Sequence, residues 1–535
     1  MRPRLAPAAR QRLLCAALAA SLAAGAAPPL WAQAAAPPSP VRLPSLGESA
    51  SDEFNLSQEK RLGEQIMREI RRDPAYLDDP ELLDYAQALW QPLVQAARRN
   101  GNIGADTERL FPYELFLVRD RSVNAFALPG GYVGLHLGLM AITNTPDELV
   151  SVLGHELSHV TQRHIARNIS ASSRSSSLGL AAMLLGLLVA SRAGSVDGAQ
   201  AAVMSGQAAM MQAQLNFSRD MEREADRTGQ ALMADAGYAP AGMPAMFDKL
   251  DASSRLNDSG NFPYLRSHPL TVDRIGEARQ RVEASGAPAT VPPPPLLHSL
   301  MQGRARVLMD PSVQSLRRLQ EFDTRGSQAE LAATDRLAAL YTGALASAQL
   351  RDFGRAERAI ESARSLLVQP ALQDAAAGRA FSRLTVQLAL ARGDAPRAVA
   401  ALQAGAAADG SRSSLLLQAD VALAEGSEAA LRRSAESLLT WVANHRDDAL
   451  AWQTLSQIAT RQGQQLRAVR AEAEAQAALG NLGGAIDRLR AGQRLARQGG
   501  AATDFIDASV IDARLRDLLA QRQQLMADER RGGQR

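Results

Sequence analysis

Two histidines four residues apart constrain this chain more than any other feature. In His155-Glu156-Leu157-Ser158-His159 a helix is needed to bring both imidazoles to one face. At about 100° per residue they point the same way, and Glu156 sits one position round, where it can touch a metal-bound water without being a ligand. The flanking residues supply that helix. Thr145-Pro146-Asp147-Glu148 reads as a capping box with proline at the first helical position, so the helix starts two turns ahead of the motif. Leu149, Val152, Leu153 and Val160 recur at helical spacing and predict a buried stripe that holds the histidines rigid. The motif is half of a zinc-hydrolase site.

A catalytic zinc usually takes three protein ligands and leaves one position for water, so a third ligand is expected downstream on another element. Glu222 is the candidate. It lies in Ser218-Arg219-Asp220-Met221-Glu222-Arg223-Glu224-Ala225-Asp226, which reads as a helix with Glu222 and Asp226 one turn apart on one face. Glu222 would bind the metal while Asp226 accepts the spare ring N–H of a ligand histidine. Glu224 is about 200° round from Glu222 and is expected to face solvent. Ahead of the zinc helix the apolar period changes. Helical spacing over Ser57 to Arg72 and Pro80 to Arg99 gives way to short strands at Tyr113 to Val118, Val123 to Leu128 and Tyr132 to His136, the last two joined by a Pro129-Gly130-Gly131 turn.

Taken together, Asn124-Ala125-Phe126-Ala127, Pro129-Gly130-Gly131, His155-Glu156-x-x-His159, Glu222-x-x-Ala225-Asp226, Ser267-His268-Pro269-Leu270 and Asp273-Arg274-Ile275 resemble the gluzincin peptidases related to the CAAX prenyl endopeptidases. Over nearly all of its length after the leader, the chain resembles the branch that adds tetratricopeptide repeats, the bacterial β-barrel assembly-enhancing protease group. The resemblance implies a mainly α fold: a gluzincin peptidase domain with a small β-sheet, then an α-solenoid of tetratricopeptide-like helix pairs. It implies one Zn²⁺ per chain on His155, His159 and Glu222, with Glu156 as the catalytic base. It lifts Asn124 to Ala127 from an ordinary hairpin strand to an edge that takes substrate backbone as an added strand. It also brings His268 near the metal, either as a fourth ligand that holds the enzyme latent or as a hydrogen-bond donor to the oxyanion, with Arg274 bracing the loop or the oxyanion. His164, five positions after His159, points off the ligand face, so a supporting or structural role is expected for it. His136, His298 and His445 carry no spacing argument and are read as structural.

The rest of the sequence bears on export and organisation. Arg2, Arg4, Arg10 and Arg12 precede an apolar run from Leu13 to about Ala27, and Ala32-Gln33-Ala34 offers a small-x-small cleavage pattern, so residues 1–34 read as a signal peptide. That leader holds the single cysteine, Cys15, and removing its four arginines takes the formal charge from +3 to −1. Disulfide and thiol chemistry are thereby excluded from the mature chain, and no nucleic-acid partner is indicated. The expected location is the periplasm. By resemblance, the partners are unfolded or misassembled outer-membrane proteins and, through the repeats, the β-barrel assembly machinery. A chaperone or assembly scaffold with a latent peptidase site is the alternative.

Four consecutive prolines, Pro292 to Pro295, mark a boundary. The expected organisation is a metallopeptidase domain over 51–285, a proline-rich linker and connecting helix over 286–325, and a repeat domain over 326–530. Between the two ligand helices, Ser170 to about Leu215 is an insertion whose uncharged run, 178–190, is too short to span a bilayer. It reads either as a lid or peripheral membrane contact, or as a buried core helix. Beyond the linker, turn-like units close on Ala356, Ala398, Ala468 and Ala485, spaced 42, 70 and 17 residues apart. Those intervals approximate one, two and half units of a helix-pair repeat.

Overall fold

The computed structural model describes residues 54–171, 218–256, 262–369, 372, 374–405, 409–498 and 505–532. The expected leader and almost all of the insertion, including 178–190, lie outside the described residues. Among those described, no helix is long and apolar enough to cross a membrane.

The fold is mainly α-helical around one small sheet. In chain order the first elements are α1 (Leu56–Ile70), β1 (Tyr76–Leu77), α2 (Pro80–Arg99), α3 (Ala105–Leu110), β2 (Glu114–Val118), β3 (Ala125–Leu128), β4 (Tyr132–His136), α4 (Leu137–Ile142), α5 (Pro146–Thr161) and α6 (His164–Ala171). Then come α7 (Arg219–Asp235), α8 (Gly242–Leu256), α9 (Pro263–Ser267) and α10 (Val272–Ser285). The predicted strands are present, and the two-residue β1 is an addition that no periodicity announces. Sheet order is β1-β2-β4-β3, with β2 parallel to β4 and the other pairs antiparallel. Gly130 and Gly131, at φ +77° and +95°, make the β3–β4 turn, a left-handed path that side chains disfavour. One sheet face packs Phe116, Val118, Leu128 and Tyr132 against Leu62, Ile66 and Met67 of α1. The other contributes Leu115, Leu117, Ala125, Val133 and Leu135 to the main core.

Helix α5 occupies the centre of that core. Its cap is half of the predicted box: Thr145 Oγ1 accepts from the Glu148 N–H at 3.2 Å. The Glu148 carboxylate turns instead to the Asn144 N–H at 2.6 Å and to Lys249. A single buried stripe was the expectation, yet every residue from Asp147 to Val160 is buried. The reason is packing on all sides, since α2, α7, α8, β3 and β4 each lie against this helix.

The remaining helices are α11 (Leu296–Met309), α12 (Val313–Gln320), α13 (Phe322–Gly326), α14 (Ala333–Gln349), α15 (Phe353–Leu367), α16 (Ala375–Arg392), α17 (Ala395–Gly405), α18 (Arg412–Glu425), α19 (Glu428–Asn444), α20 (Ala449–Arg461), α21 (Gln465–Ala478), α22 (Leu482–Gln498) and α23 (Phe505–Gly532). The four turn-like units fall between consecutive helices: α14/α15, α16/α17, α20/α21 and α21/α22. Pro292 to Pro295 are exposed, but α11 directly after them packs on α2, α4, α14 and α16. One apolar core therefore runs unbroken from Leu77 to Leu388. Polar fastenings reinforce it. Arg304 pairs with Asp79 at 2.7 Å, and Arg412 on α18 grips both Asp78 and Asp448 through both carboxylate oxygens of each.

His298 belongs to the same seam. Its Nε2–H donates to the Thr143 carbonyl at 3.1 Å, so Nδ1 accepts the Tyr85 hydroxyl at 2.6 Å. Burial pulls its pKa from 6.5 down to about 4. The unfolded chain therefore binds the proton first, and stability present above about pH 6.5 is lost as pH falls towards about 4, by up to about 3 kcal/mol. Thermal midpoints measured through this window are expected to fall more steeply for the parent than for His298→Gln.

Candidate active site

Where α5 crosses α7 the two backbones touch. A Cβ on Gly229 would lie 2.8 Å from both Gly154 C and His155 N, closer than such atoms approach. That crossing sits beside His155 and one turn from Asp226, so it sets how near the carboxylates of α7 come to the imidazoles of α5. Ser218 caps α7, its hydroxyl accepting from the Met221 N–H at 3.2 Å, which aims Glu222 from the first turn.

The geometry that results is tight. His155, His159, Glu222 and His268 each offer a ligand atom, and these atoms lie within 4.8 Å of one another. His155 Nε2 is 2.9 Å from His159 Nε2 and 3.2 Å from His268 Nδ1. Glu222 oxygens are 3.5 Å from His155 Nε2, 3.4 Å from His159 Nε2 and 2.9 Å from His268 Nδ1. Four donors around a zinc ion at its usual ligand distances stand about 3.3 Å apart, so this nitrogen and oxygen set fits one tetrahedral metal ion. Glu156 is fully buried beside the cluster, with His268 Nε2 3.5 Å from its Oε1 and the Ala127 backbone N–H against the carboxylate.

A supporting layer surrounds the cluster. Asp226 Oδ1 lies 2.9 Å from His155 Nδ1, turning Nε2 inward as the sequence predicts. Arg274 donates to Asp226 at 2.7 and 2.8 Å, sits 2.8 Å from Glu222 Oε2 and holds the Pro269 carbonyl at 2.8 Å. It thus braces the carboxylates and the His268 loop together. His164 Nδ1 lies 2.8 Å from His159 Nδ1, and its Nε2 is 3.2 Å from Glu224. Glu224 is therefore a correction: it is half-buried, paired also with Arg167 at 3.1 Å, and orients the second histidine through His164 instead of facing solvent. Nothing in helical angle alone reveals that, because the partner helix is α6, which follows the motif helix.

Electrostatics follow burial. Burial pushes the Glu156 carboxyl up, against the pull of His268 and His155. Burial also depresses His159 well below the usual range. Burial alone would raise Glu222, but His268 and His155 hold it well below the ordinary carboxylate range.

Strand β3 is an edge of the sheet and packs on α5. Phe126 turns away from α5, its ring lying over Gly134 and meeting Phe116 edge-on at 5.8 Å. Ala125 and Ala127 belong to the main core on the opposite face, and Asn124 precedes the strand. His136 bonds Ser122 at 2.9 Å, and neither it nor His298 or His445 belongs to the metal-ligand group.

Residues 89–282 match Peptidase family M48, and that span contains His155, Glu156, His159, Glu222, Asp226, His268 and Arg274. The matched span covers about a third of the chain. The chain is 27% identical to the beta-barrel assembly-enhancing protease of Escherichia coli K12 over 502 residues, 93% of this chain and 95% of that relative. A Vibrio cholerae protein bearing the same group name is 38% identical over 242 residues, 45% of this chain and about half, 48%, of that relative. Metalloprotease LoiP of Escherichia coli K12 is 28% identical over 246 residues, 46% of this chain and 89% of that relative. With the buried His-His-Glu-His group in the matched span, the chain is a metallopeptidase.

Gly229→Ala should push α7 off α5, lowering metal affinity at least tenfold and stability by about 1–3 kcal/mol. Gly276→Ala on α10, where an added Cβ meets nothing within 4 Å, should keep affinity at the parent level. Metal titration and thermal melts of the two variants check this.

Proposed function

We propose that this chain is a periplasmic zinc endopeptidase that serves quality control and assembly of outer-membrane β-barrel proteins by cleaving misfolded or stalled clients. What carries the reading is the buried His155, His159, Glu222 and His268 group beside Glu156, in a chain that aligns over 93% of its length with a beta-barrel assembly-enhancing protease. The periplasmic part rests on the arginine-led, alanine-rich leader and its cleavage pattern near Ala34.

In this proposal one zinc ion is held by His155, His159 and Glu222, and Asp226 fixes the orientation of His155. When bound, the ion supplies Lewis acidity for the scissile carbonyl and lowers the pKa of a water. Glu156 takes the proton of the attacking water and delivers it to the leaving amine. Its burial suits that work, because a carboxyl pushed up holds and releases a proton nearer neutrality. Asn124, Ala125, Phe126 and Ala127 receive the client as an added strand, which selects extended polypeptide over sequence. Residues 326–530 act as tetratricopeptide-like helix pairs that hold clients or the β-barrel assembly machinery.

The 2.9 Å approach of His268 Nδ1 to Glu222 favours His268 as a fourth ligand in a latent state over an oxyanion donor. The same closeness favours the second reading, a chaperone or assembly scaffold whose peptidase is held off. Cleavage of an unfolded outer-membrane barrel protein by residues 35–535 separates the two. Glu156→Gln is expected to keep its zinc and lose cleavage by a factor of about 100 or more. Full activity in that variant would remove Glu156 from the mechanism; zinc-loaded parent that binds but never cleaves would favour the scaffold.

A further inference from the structure

Helix α5 ends at Thr161 and α6 begins at His164, so the chain turns between them in two residues. Arg163 makes the corner. Its φ is +53°, a left-handed conformation that side chains disfavour and glycine adopts freely. Among the described residues, the non-glycine residues with positive φ are Tyr113, Arg163 and Arg351. Of these, Arg163 alone adjoins a residue that touches a ligand histidine.

The corner decides what His164 can reach. In an unbroken helix His164 would stand about 140° round from His159, and the two rings would meet different neighbours. Because the chain turns at Arg163, His164 instead comes against His159, with Nδ1 2.8 Å from Nδ1 and ring centroids 4.8 Å apart. Two ring nitrogens this close share one proton. His159 Nε2 faces the ligand group, 3.4 Å from Glu222, and needs its lone pair there for an ion. The shared proton is therefore on His159 Nδ1, His164 Nδ1 accepts it, and His164 Nε2–H donates to Glu224 at 3.2 Å. The setting of the second ligand histidine thus depends on a backbone conformation that an arginine does not favour by itself.

A buried carboxylate on α1 holds that conformation. Glu59 is 2% exposed, and it accepts from Arg163 Nε at 2.9 Å and from the Gly130 N–H of the β3–β4 turn. Arg163 Nη2 also reaches the Phe54 carbonyl at 3.0 Å. Two backbone bonds complete the joint: the Arg163 N–H donates to the Val160 carbonyl at 3.1 Å, and the Arg163 carbonyl accepts from the Arg167 N–H at 3.0 Å. Helix α1, the β3–β4 turn and the corner after the motif helix therefore meet on one carboxylate.

We propose that Glu59 and Arg163 are positioning residues of the metal site: Glu59 pins the Arg163 side chain, the pinned residue keeps the left-handed corner, and the corner places His164 where it fixes the tautomer and tilt of His159. This rests on the reading of His159 as a metal ligand and deepens it. Neither residue is in the ligand group. Glycine at position 163 would keep the corner unaided, so the need for Glu59 disappears there. Alanine at 163 has neither the conformational freedom nor the anchor.

The test compares Arg163→Ala, Arg163→Gly and Glu59→Gln in the full-length protein. Zinc affinity is measured by chelator competition, and histidine ring protonation is read by nitrogen-15 NMR of the zinc-loaded chain. Arg163→Ala and Arg163→Gly both leave Glu59 without its arginine, so stability lost with that pair is common to them and their difference reports on the corner. Arg163→Ala is expected to bind zinc about tenfold or more weakly, with the His164 proton no longer confined to Nε2. Arg163→Gly is expected to stay within about threefold of the parent, with the His164 ring unchanged. Glu59→Gln should weaken zinc binding about threefold or more in the parent and add nothing to Arg163→Gly. Equal losses in the alanine and glycine variants, or parent affinity in the alanine variant, would overturn the proposal. Glu222→Gln is measured beside them. Parent affinity in that variant would remove the metal-site reading and the proposal with it, whereas loss there with none in Arg163→Ala would overturn the corner alone.

Discussion

The contact of Gly154 with Gly229 is the constraint on which the site depends. Two helices can bring side chains from both of their facing turns onto one ion only if their axes are close, and here the backbones touch beside His155. Glycine inside a helix costs roughly 1 kcal/mol relative to alanine. That cost is offset by what the close approach permits: Glu222 and Asp226, one turn apart on α7, meet the imidazoles of α5 with no side chain between. Everything further out holds this crossing in place, from the fully packed surroundings of α5 to Arg274, whose guanidinium joins Asp226, Glu222 and the Pro269 carbonyl.

The charge balance of the site follows from the same packing. Glu222 and Asp226 are both buried, and two carboxylates so placed need compensation. Arg274 supplies one positive charge from α10, and the imidazoles with their ion supply the rest. Tyr264 and His268 close the remaining side, so the chemistry is sheltered from water at the cost of access. A peptidase with a fully buried ligand set must couple substrate arrival to movement, and the segment 262–268 is tied to the sheet through the Tyr264 N–H and the Val123 carbonyl.

The motif helix, its proline start and the three strands were legible in the sequence because each rests on local spacing, and the sequence set Asp226 against a ligand histidine without saying which. What was not legible depended on tertiary neighbours. Helical angle put Glu224 toward solvent, but α6 brings His164 and Arg167 to it. A buried stripe was expected on α5 where the whole helix is enclosed, since no pattern within one helix reports how many elements surround it. Gly154 and Gly229 left a signal that went unused: glycine in mid-helix next to a functional residue marks a close crossing. The proline run read as a separator, yet α11 after it joins one continuous core, because proline dictates backbone direction and says nothing of what the next helix packs against.

The central claim is that His155, His159 and Glu222, drawn together by that crossing, hold one metal ion. The sequence's single cysteine is Cys15, so residues 35–535 offer zinc no thiolate. The most direct measurement is zinc stoichiometry and affinity of that chain beside Glu222→Gln. One zinc per chain, bound at least about 100-fold more weakly after the substitution, is the predicted result. Equal affinity in both proteins would contradict the account, since the ion would then sit on other residues.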